Sequence, residues 1–262
     1  MKDFVKKHIM INSKEKNRLY LGYKKGWKRE DYYMKINSDP AVMIMGSHDD
    51  IIHRIGTLIA YNVTNRLFDS EVVLEVYGEN SNVKDKYADF VNVHDDKSIE
   101  TLLVELRKDA MQRLERLYEA NARNIKEYNE QAKQTMKRRV VIIDGFEDVM
   151  DNIIVSSVIP SLLARSRTAG ITIVAAVNTE RLNERKFVGL QAPRISYVME
   201  HFTCKILTQI NKNFRIRPFS KIPQLEDNQM VIVNDNYVAM TENNWLSDVI
   251  QIPKDRRLRS GK

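Results

Sequence analysis

The chain has 262 residues, is 43% hydrophobic and 29% charged, and carries a formal net charge of +7. That size and apolar content support one large or two small globular domains with a proper core. No apolar run approaches the roughly 20 residues that cross a bilayer. The basic N-terminus lacks the apolar stretch and cleavage site of a signal peptide. Cys204 is the only cysteine, so a disulfide framework or thiolate cluster is excluded and a reducing, cytoplasmic setting is expected. The basic excess is scattered, with its densest clusters at 24–29, 137–139 and 256–259, and reads as solvated charge rather than a polyanion groove.

In chain order, residues 1–40 hold short stretches of strand character at 9–11, 19–22 and 32–36. Pro40 introduces the apolar run "AVMIM" and then Gly46. From 51 to 68, Ile51, Ile55, Leu58, Ile59, Val63 and Leu67 recur at helical spacing. The β-branched run 71–78 ends at Gly78 and predicts a strand. Ser98 offers an N-cap to a long helical stretch, which breaks near "ANARN" and resumes to about Met136. "VVII" before Asp144 is a strand buried on both faces, as parallel sheets require. A helix over 153–168 stops at Gly170. Further strands are predicted over 171–178 and 204–210, and "QMVIVNDNYVAM" reads as two strands around Asn234 and Asp235. Strands alternating with helices predict a three-layer α/β fold with a largely parallel central sheet. No internal repeat or linker interrupts it. The reading is one domain over 1–262: N-terminal strands at 1–40, a core at 41–210, and a C-terminal hairpin and tail at 211–262.

The stretch "GSHDDIIH" lies where a phosphate-binding loop would lie. A working loop is G-x-x-x-x-G-K-[ST], in which backbone N–H groups wrap the phosphates, the lysine neutralises charge and the hydroxyl meets magnesium. Gly46 supplies the first glycine. Ser47, His48, Asp49 and Asp50 follow, and Ile51, Ile52 and His53 stand where glycine, lysine and Ser/Thr belong. A register one residue shorter fails too. Asp49 and Asp50 place negative charge where a triphosphate would sit, which costs about 1 kcal/mol per like-charge contact in water and several when partly buried. The strand–loop–helix path is expected to persist through packing alone.

Asp144 ends its strand as the magnesium-associated aspartate of a nucleotide site does, but Gly145 follows it instead of an acid, with Glu147 and Asp148 further along. A turn cap is the alternative role for Asp144. His48 and His53 are five apart across a loop-to-helix junction with no further ligand nearby, so no metal site is expected. Cys204 reads as a small buried hydrophobe.

Taken together, "ARNIKEYNE", "VVIIDGFEDVM" and "LLARSRTAGITIVAAVN" resemble, in order, segments of the FtsK/SpoIIIE family of hexameric ring ATPases. Asp144 matches the Walker B aspartate and Asp148 a later acidic position. Arg167 and Gly170 match, and Asn178 takes the place of a glutamine. The similarity covers roughly 40–210. The opening strands are similar to those of ATPase-like modules in type VII secretion coupling proteins, the EccC/EssC branch. The resemblance implies a three-layer, P-loop NTPase-like (RecA/FtsK-like) fold. It also implies a place among tandem modules of a membrane-anchored protein, at the cytoplasmic face of the membrane, hexameric in full length and with no membrane insertion by this segment. With lysine, hydroxyl and second acid missing, the expected role is that of a pseudo-ATPase: no hydrolysis, no ATP or magnesium, but substrate recognition or regulation. The partners implied are secreted helical-hairpin proteins of the WXG class and neighbouring ATPase modules. The segments 78–96, read as an insertion, and 219–245, read as a tail, are the non-core stretches expected to carry the binding surface, with Tyr237 and Trp245 as the candidate partner-binding aromatics. The alternative is an active nucleotide-binding motor module translocating DNA or protein.

Overall fold

Three apolar strands with no polar face form the centre of the molecule. β3 (Ala41–Gly46), β6 (Arg138–Ile143) and β7 (Ile171–Asn178) lie side by side, parallel, in the order β3–β7–β6. In this computed structural model, which describes residues 18–24, 30–36, 40–65, 71–78, 82–90, 92–185, 191–211, 214, 224–226, 228–234 and 250–252, the sheet widens on both sides. Beyond β6 come β4 (Val72–Tyr77) and β5 (Val93–His94), both parallel. Beyond β3 comes the parallel β8 (Cys204–Leu207). Four antiparallel strands then follow in spatial order: β9 (Gln229–Asn234), β10 (Ile250–Gln251), β1 (Arg18–Lys24) and β2 (Glu30–Lys35).

Side chains alternate along each central strand, so each supplies two cores. Met43, Met45, Val141, Ile143, Ile173 and Ala175 face one layer. It is made by α3 (Ile99–Glu119), α5 (Ile153–Ala169) and α7 (Gln191–Glu200), through residues such as Leu102, Leu106, Ile159, Leu162 and Val198. Val42, Ile44, Val140, Ile142, Val174 and Ala176 face the other, where Ile51, Ile52, Ile55 and Ile59 of α1 (Asp49–Asn65) cover them. The short α2 (Asn82–Lys86), α4 (Ile125–Gln131) and α6 (Thr179–Glu184) complete the α-helices among the described residues. The predicted three-layer α/β fold with a largely parallel sheet is the observed one.

Local chemistry sets the helix ends. The Ser98 hydroxyl accepts the Thr101 N–H at 3.3 Å, and the Asn152 side chain accepts the Ile154 N–H at 2.8 Å. α5 stops at Gly170, as predicted. Four expectations need correction. The helical stretch after "ANARN" ends at Gln131, because the Asn129 side chain holds both backbone groups of Met136, at 2.6 and 2.9 Å, and turns the chain into β6. The strand predicted over 204–210 ends at Leu207; Thr208 and Gln209 bond instead to the end of β3 and the turn after it. The segment 78–96 is no surface insertion, since Val83 and Tyr87 are fully buried. The C-terminal segment likewise joins the sheet through β9, whose Met230 and Val231 are buried. The strand expected at 9–11 and the second arm of the predicted hairpin lie outside the described residues.

Strand β1 ties into the same body. Asn62 of α1 is fully buried, accepts the Tyr20 N–H at 2.7 Å and donates to the Tyr20 carbonyl at 2.9 Å.

Candidate functional site at the strand ends

The C-terminal ends of β3, β7 and β6 lie along one edge of the sheet, and α1, α6 and a 3-10 turn (Phe146–Asp148) begin there. Open α/β sheets bind ligands outside the carboxyl ends of their strands. The sequence-predicted residues of both nucleotide motifs meet at this edge.

After Gly46 only Ser47 and His48 precede α1. Asp49 and Asp50 form the first turn of the helix, where their charge is favourable toward the helix dipole. Ile51 and Ile52 are already helical, donate N–H groups to the His48 carbonyl at 3.1 and 3.2 Å, and are 5% and 3% exposed in the core. The predicted strand–loop–helix path is present, but the loop is short. The Ser47 N–H donates to the Gln209 carbonyl at 2.8 Å, and the Ser47 hydroxyl accepts the Asn211 N–H at 3.0 Å. A Cβ on Gly46 would lie 2.0 Å from Thr208 Oγ1 and 3.3 Å from Ile52, so the glycine is required by the close approach of the segment after β8. The His53 ring sits edge-on to Tyr87 at 4.8 Å and beside the Thr57 hydroxyl.

Asp49 is the hub of the site. Its Oδ1 accepts the Asn178 side-chain amide at 2.8 Å, and its Oδ2 accepts the Arg181 guanidinium. Asn178 ends β7 and caps α6, accepting the Glu180 and Arg181 N–H groups at 2.9 and 3.2 Å. Arg181 reaches on to Glu147 at 3.2 Å, and the Asn178 N–H donates to the same carboxylate at 3.0 Å. Glu147 is 1% exposed. Burial pushes its pKa up to about 7, against the lowering effect of the Asn178 N–H and of Arg181. The burial effect outweighs the ion pair because that guanidinium is partly solvated and shared with Asp49.

Asp144 belongs to a neighbouring cluster. Its N–H continues the ladder to the Tyr77 carbonyl at 2.8 Å, and its carboxylate is paired with Lys86 of α2 at 2.9 Å. Gly145 adopts φ +74°, ψ +29°, a left-handed conformation that favours glycine over the acid a nucleotide site would place there. That turn sends Glu147 inward and Asp148 outward, where Asp148 pairs with Arg185, which also reaches Asp151 at 3.5 Å. The Tyr87 phenol is buried without a hydrogen-bond partner, its pKa raised well above the usual value by burial and then by the Asp144 charge. Arg167 sits at the end of α5, where β7 begins, at the opposite end of that strand from Asn178. Tyr237 and Trp245 lie outside the described residues.

The structure brings Gly46, Asp49, Asp144 and Asn178, singled out separately in the sequence, to one edge; sequence reading did not place them together. Sequence reading also missed Arg181 and Lys86, which supply the site's cations, and it placed less weight on Glu147 than on Asp148. The order in "DGFED" carries no signal for which acid turns inward; the 3-10 turn decides it.

As a seat for magnesium and a triphosphate the residues do not fit. The turn is two residues long, the first turn of α1 carries two acids and no lysine or hydroxyl, and the aspartate that would face the metal is paired with an ammonium group. Among the described residues no group of three or more His, Cys, Asp and Glu is placed to hold a metal ion, and no helix is long and apolar enough to cross a membrane.

The sequence matches no protein-family profile and no curated protein. Its structure is similar to several solved ones. EssC (ATPases 2 and 3) from Geobacillus thermodenitrificans superposes with a TM-score of 0.66 at 15% identity, over 92% of this chain and 45% of that one. Thermomonospora curvata EccC (ATPases 2 and 3), in complex with a signal sequence peptide, gives 0.63 at 15% identity over 92% and 41%. The pCW3 conjugation coupling protein TcpA, in a monomer form with ATPγS, gives 0.61 at 14% identity over 91% and 65%. The chain thus spans less than half the length of the EssC and EccC structures. The resemblance read from three short motifs and the likeness over about nine-tenths of the backbone converge: the chain has the three-layer, P-loop NTPase-like fold of the EccC/EssC ATPase modules.

Proposed function

We propose that the chain is a non-catalytic, ATPase-like module of a type VII secretion coupling protein, acting in substrate recognition or in regulation of the secretion motor. The observation that carries this reading is Asp49: after a two-residue turn, the first acid of α1 is held by Arg181 and Asn178 where a nucleotide site presents lysine and backbone N–H groups. The shared fold with EssC and EccC supports the setting, and the length of those structures supports a place beside further modules of one protein. In that setting the module belongs to a membrane-anchored, hexameric assembly at the cytoplasmic face of the membrane.

The EccC relative was solved with a signal sequence peptide. By analogy, the ligand proposed here is a helical C-terminal segment of a secreted WXG-type hairpin protein, bound in a groove. The test is titration of the chain with labelled tails of that kind, then of folded Tyr237→Ala and Trp245→Ala variants. Saturable binding on the order of micromolar supports recognition. No binding by the chain or by the longer protein that contains it rules recognition out. Unchanged binding by both variants rules out those two aromatics alone.

One observation favours an active, nucleotide-binding motor module instead. Glu147 is a buried carboxylate in the 3-10 turn that follows β6, with its pKa raised to about 7, the range of a general base. Steady phosphate release from MgATP, abolished in Asp144→Asn, would establish that reading and sink the first.

A further inference from the structure

We infer that Asp49 is a tethered anion, an internal ligand that occupies Arg181 and Asn178 and locks the strand ends against phosphate-bearing molecules. The inference deepens the non-catalytic reading and rests on it. Its basis is how the contacts converge. Two donors from β7 and α6 meet one carboxylate from α1, one on each oxygen: Asn178 Nδ2 on Oδ1 at 2.8 Å and Arg181 Nη2 on Oδ2. The donors stand 129 and 132 residues away in sequence, so the contact is built by the fold and not by local turn chemistry. Arginine presented in this way is the usual donor to carboxylate and phosphate alike. Here its Nη1 donates to Glu147 at 3.2 Å, so the guanidinium is shared between two internal acids.

The neighbouring strand end repeats the device with the opposite sign. Asp144 would face a cation, and the chain supplies one, the Lys86 ammonium at 2.9 Å. Asp148 and Asp151 are met by Arg185. The cations named at this edge are therefore each met by an internal acid, and the acids outnumber them. An incoming polyanion meets repulsion from Asp49 and Asp50 and has to displace one carboxylate from Arg181.

If Asp49 only holds a ligand's place, removing its charge opens the place. Asp49→Ser shortens the side chain while keeping a residue suited to a helix start; Asp49→Asn is the second variant. The probe is inorganic pyrophosphate, followed by calorimetry at low salt. The parent is expected to give no saturable heat. Asp49→Ser is expected to bind about tenfold tighter than the parent or better, and Asp49→Ser with Arg181→Gln is expected to lose that gain. Folded variants that gain nothing overturn the inference. So does a parent that binds pyrophosphate as tightly as the variants. Failure of both variants to fold also overturns it, since a placeholder is dispensable to the fold. Phosphate release from MgATP by the parent sinks the non-catalytic reading. A parent inert toward MgATP, with variants that gain nothing, sinks only the lock.

Discussion

Two arginines each bridge a pair of carboxylates from different elements, and their positions give them different work. Arg139, on β6, reaches Glu75 of β4 at 2.7 Å and Asp109 of α3 at 2.6 Å, with side chains 21%, 15% and 28% exposed. Arg113 shares Asp109 at 2.9 Å and donates to the Lys137 carbonyl at 2.8 Å. That network lies between the sheet and the helices and fastens one layer to the other. Arg181 joins Asp49 to Glu147 at the strand ends, with side chains 39%, 40% and 1% exposed. It lies on the edge where α/β folds keep their ligands. The same guanidinium chemistry is a staple in one place and an occupant in the other. An ion pair is informative about function when it stands where a ligand would.

The comparison can be broken from either side. The largest effect is expected for Arg139→Met, which strands Glu75 without a cation between packed layers and lowers unfolding stability by about 3 kcal/mol. A loss below about 1 kcal/mol in urea unfolding would make this network no better than a surface pair.

Next comes Glu147→Gln. In the folded chain its pKa is raised from 4.5 to about 7, so the folded state holds a proton that the unfolded chain has released. The contribution to stability is fully present below pH 4.5 and is lost as pH rises to about 7. Relative to the parent, the variant should lack a fall on the order of 2–3 kcal/mol across that window. Parallel pH profiles for the two proteins would contradict the burial of this acid.

A smaller effect is expected for Arg181→Gln, about 1–2 kcal/mol at neutral pH. The half-exposed Asp49 recovers water while the buried Glu147 turns to its protonated form. Added salt should reduce the loss, because one side of the cluster is solvated. Equal losses for Arg181 and Arg139 at every salt concentration would erase the distinction between staple and occupant. The smallest effect is expected for Lys86→Met, about 1 kcal/mol or less, since the pair with Asp144 is partly solvated and methionine keeps the packing of the stem.

Most of the fold was legible because its signals are periodic. The central strands carry long apolar runs, α1 and α3 carry apolar residues at helical spacing, and Ser98 and Gly170 mark ends by their own chemistry. The antiparallel wing was less legible: β10 is two residues long, and Gly22 is required there because a Cβ would lie 2.3 Å from the Gln251 carbonyl oxygen of β10, a fact of tertiary contact. At the site, missing residues were easy to read and their replacements were not. The absence of a lysine after Gly46 is visible in the chain. That Lys86 and Arg181 bring cations to Asp144 and Asp49 depends on partners 58 and 132 residues apart. That Glu147 rather than Asp148 turns inward depends on the left-handed Gly145.

The central claim is that the strand ends serve no nucleotide. Its most direct test is calorimetric titration of the purified chain with MgATP, repeated with Arg139→Met and Arg181→Gln as folded controls. The account predicts no saturable heat at concentrations up to roughly millimolar, for parent and controls alike. Binding by the parent at roughly micromolar affinity, weakened in Arg181→Gln but not in Arg139→Met, would contradict it and make Arg181 a nucleotide ligand.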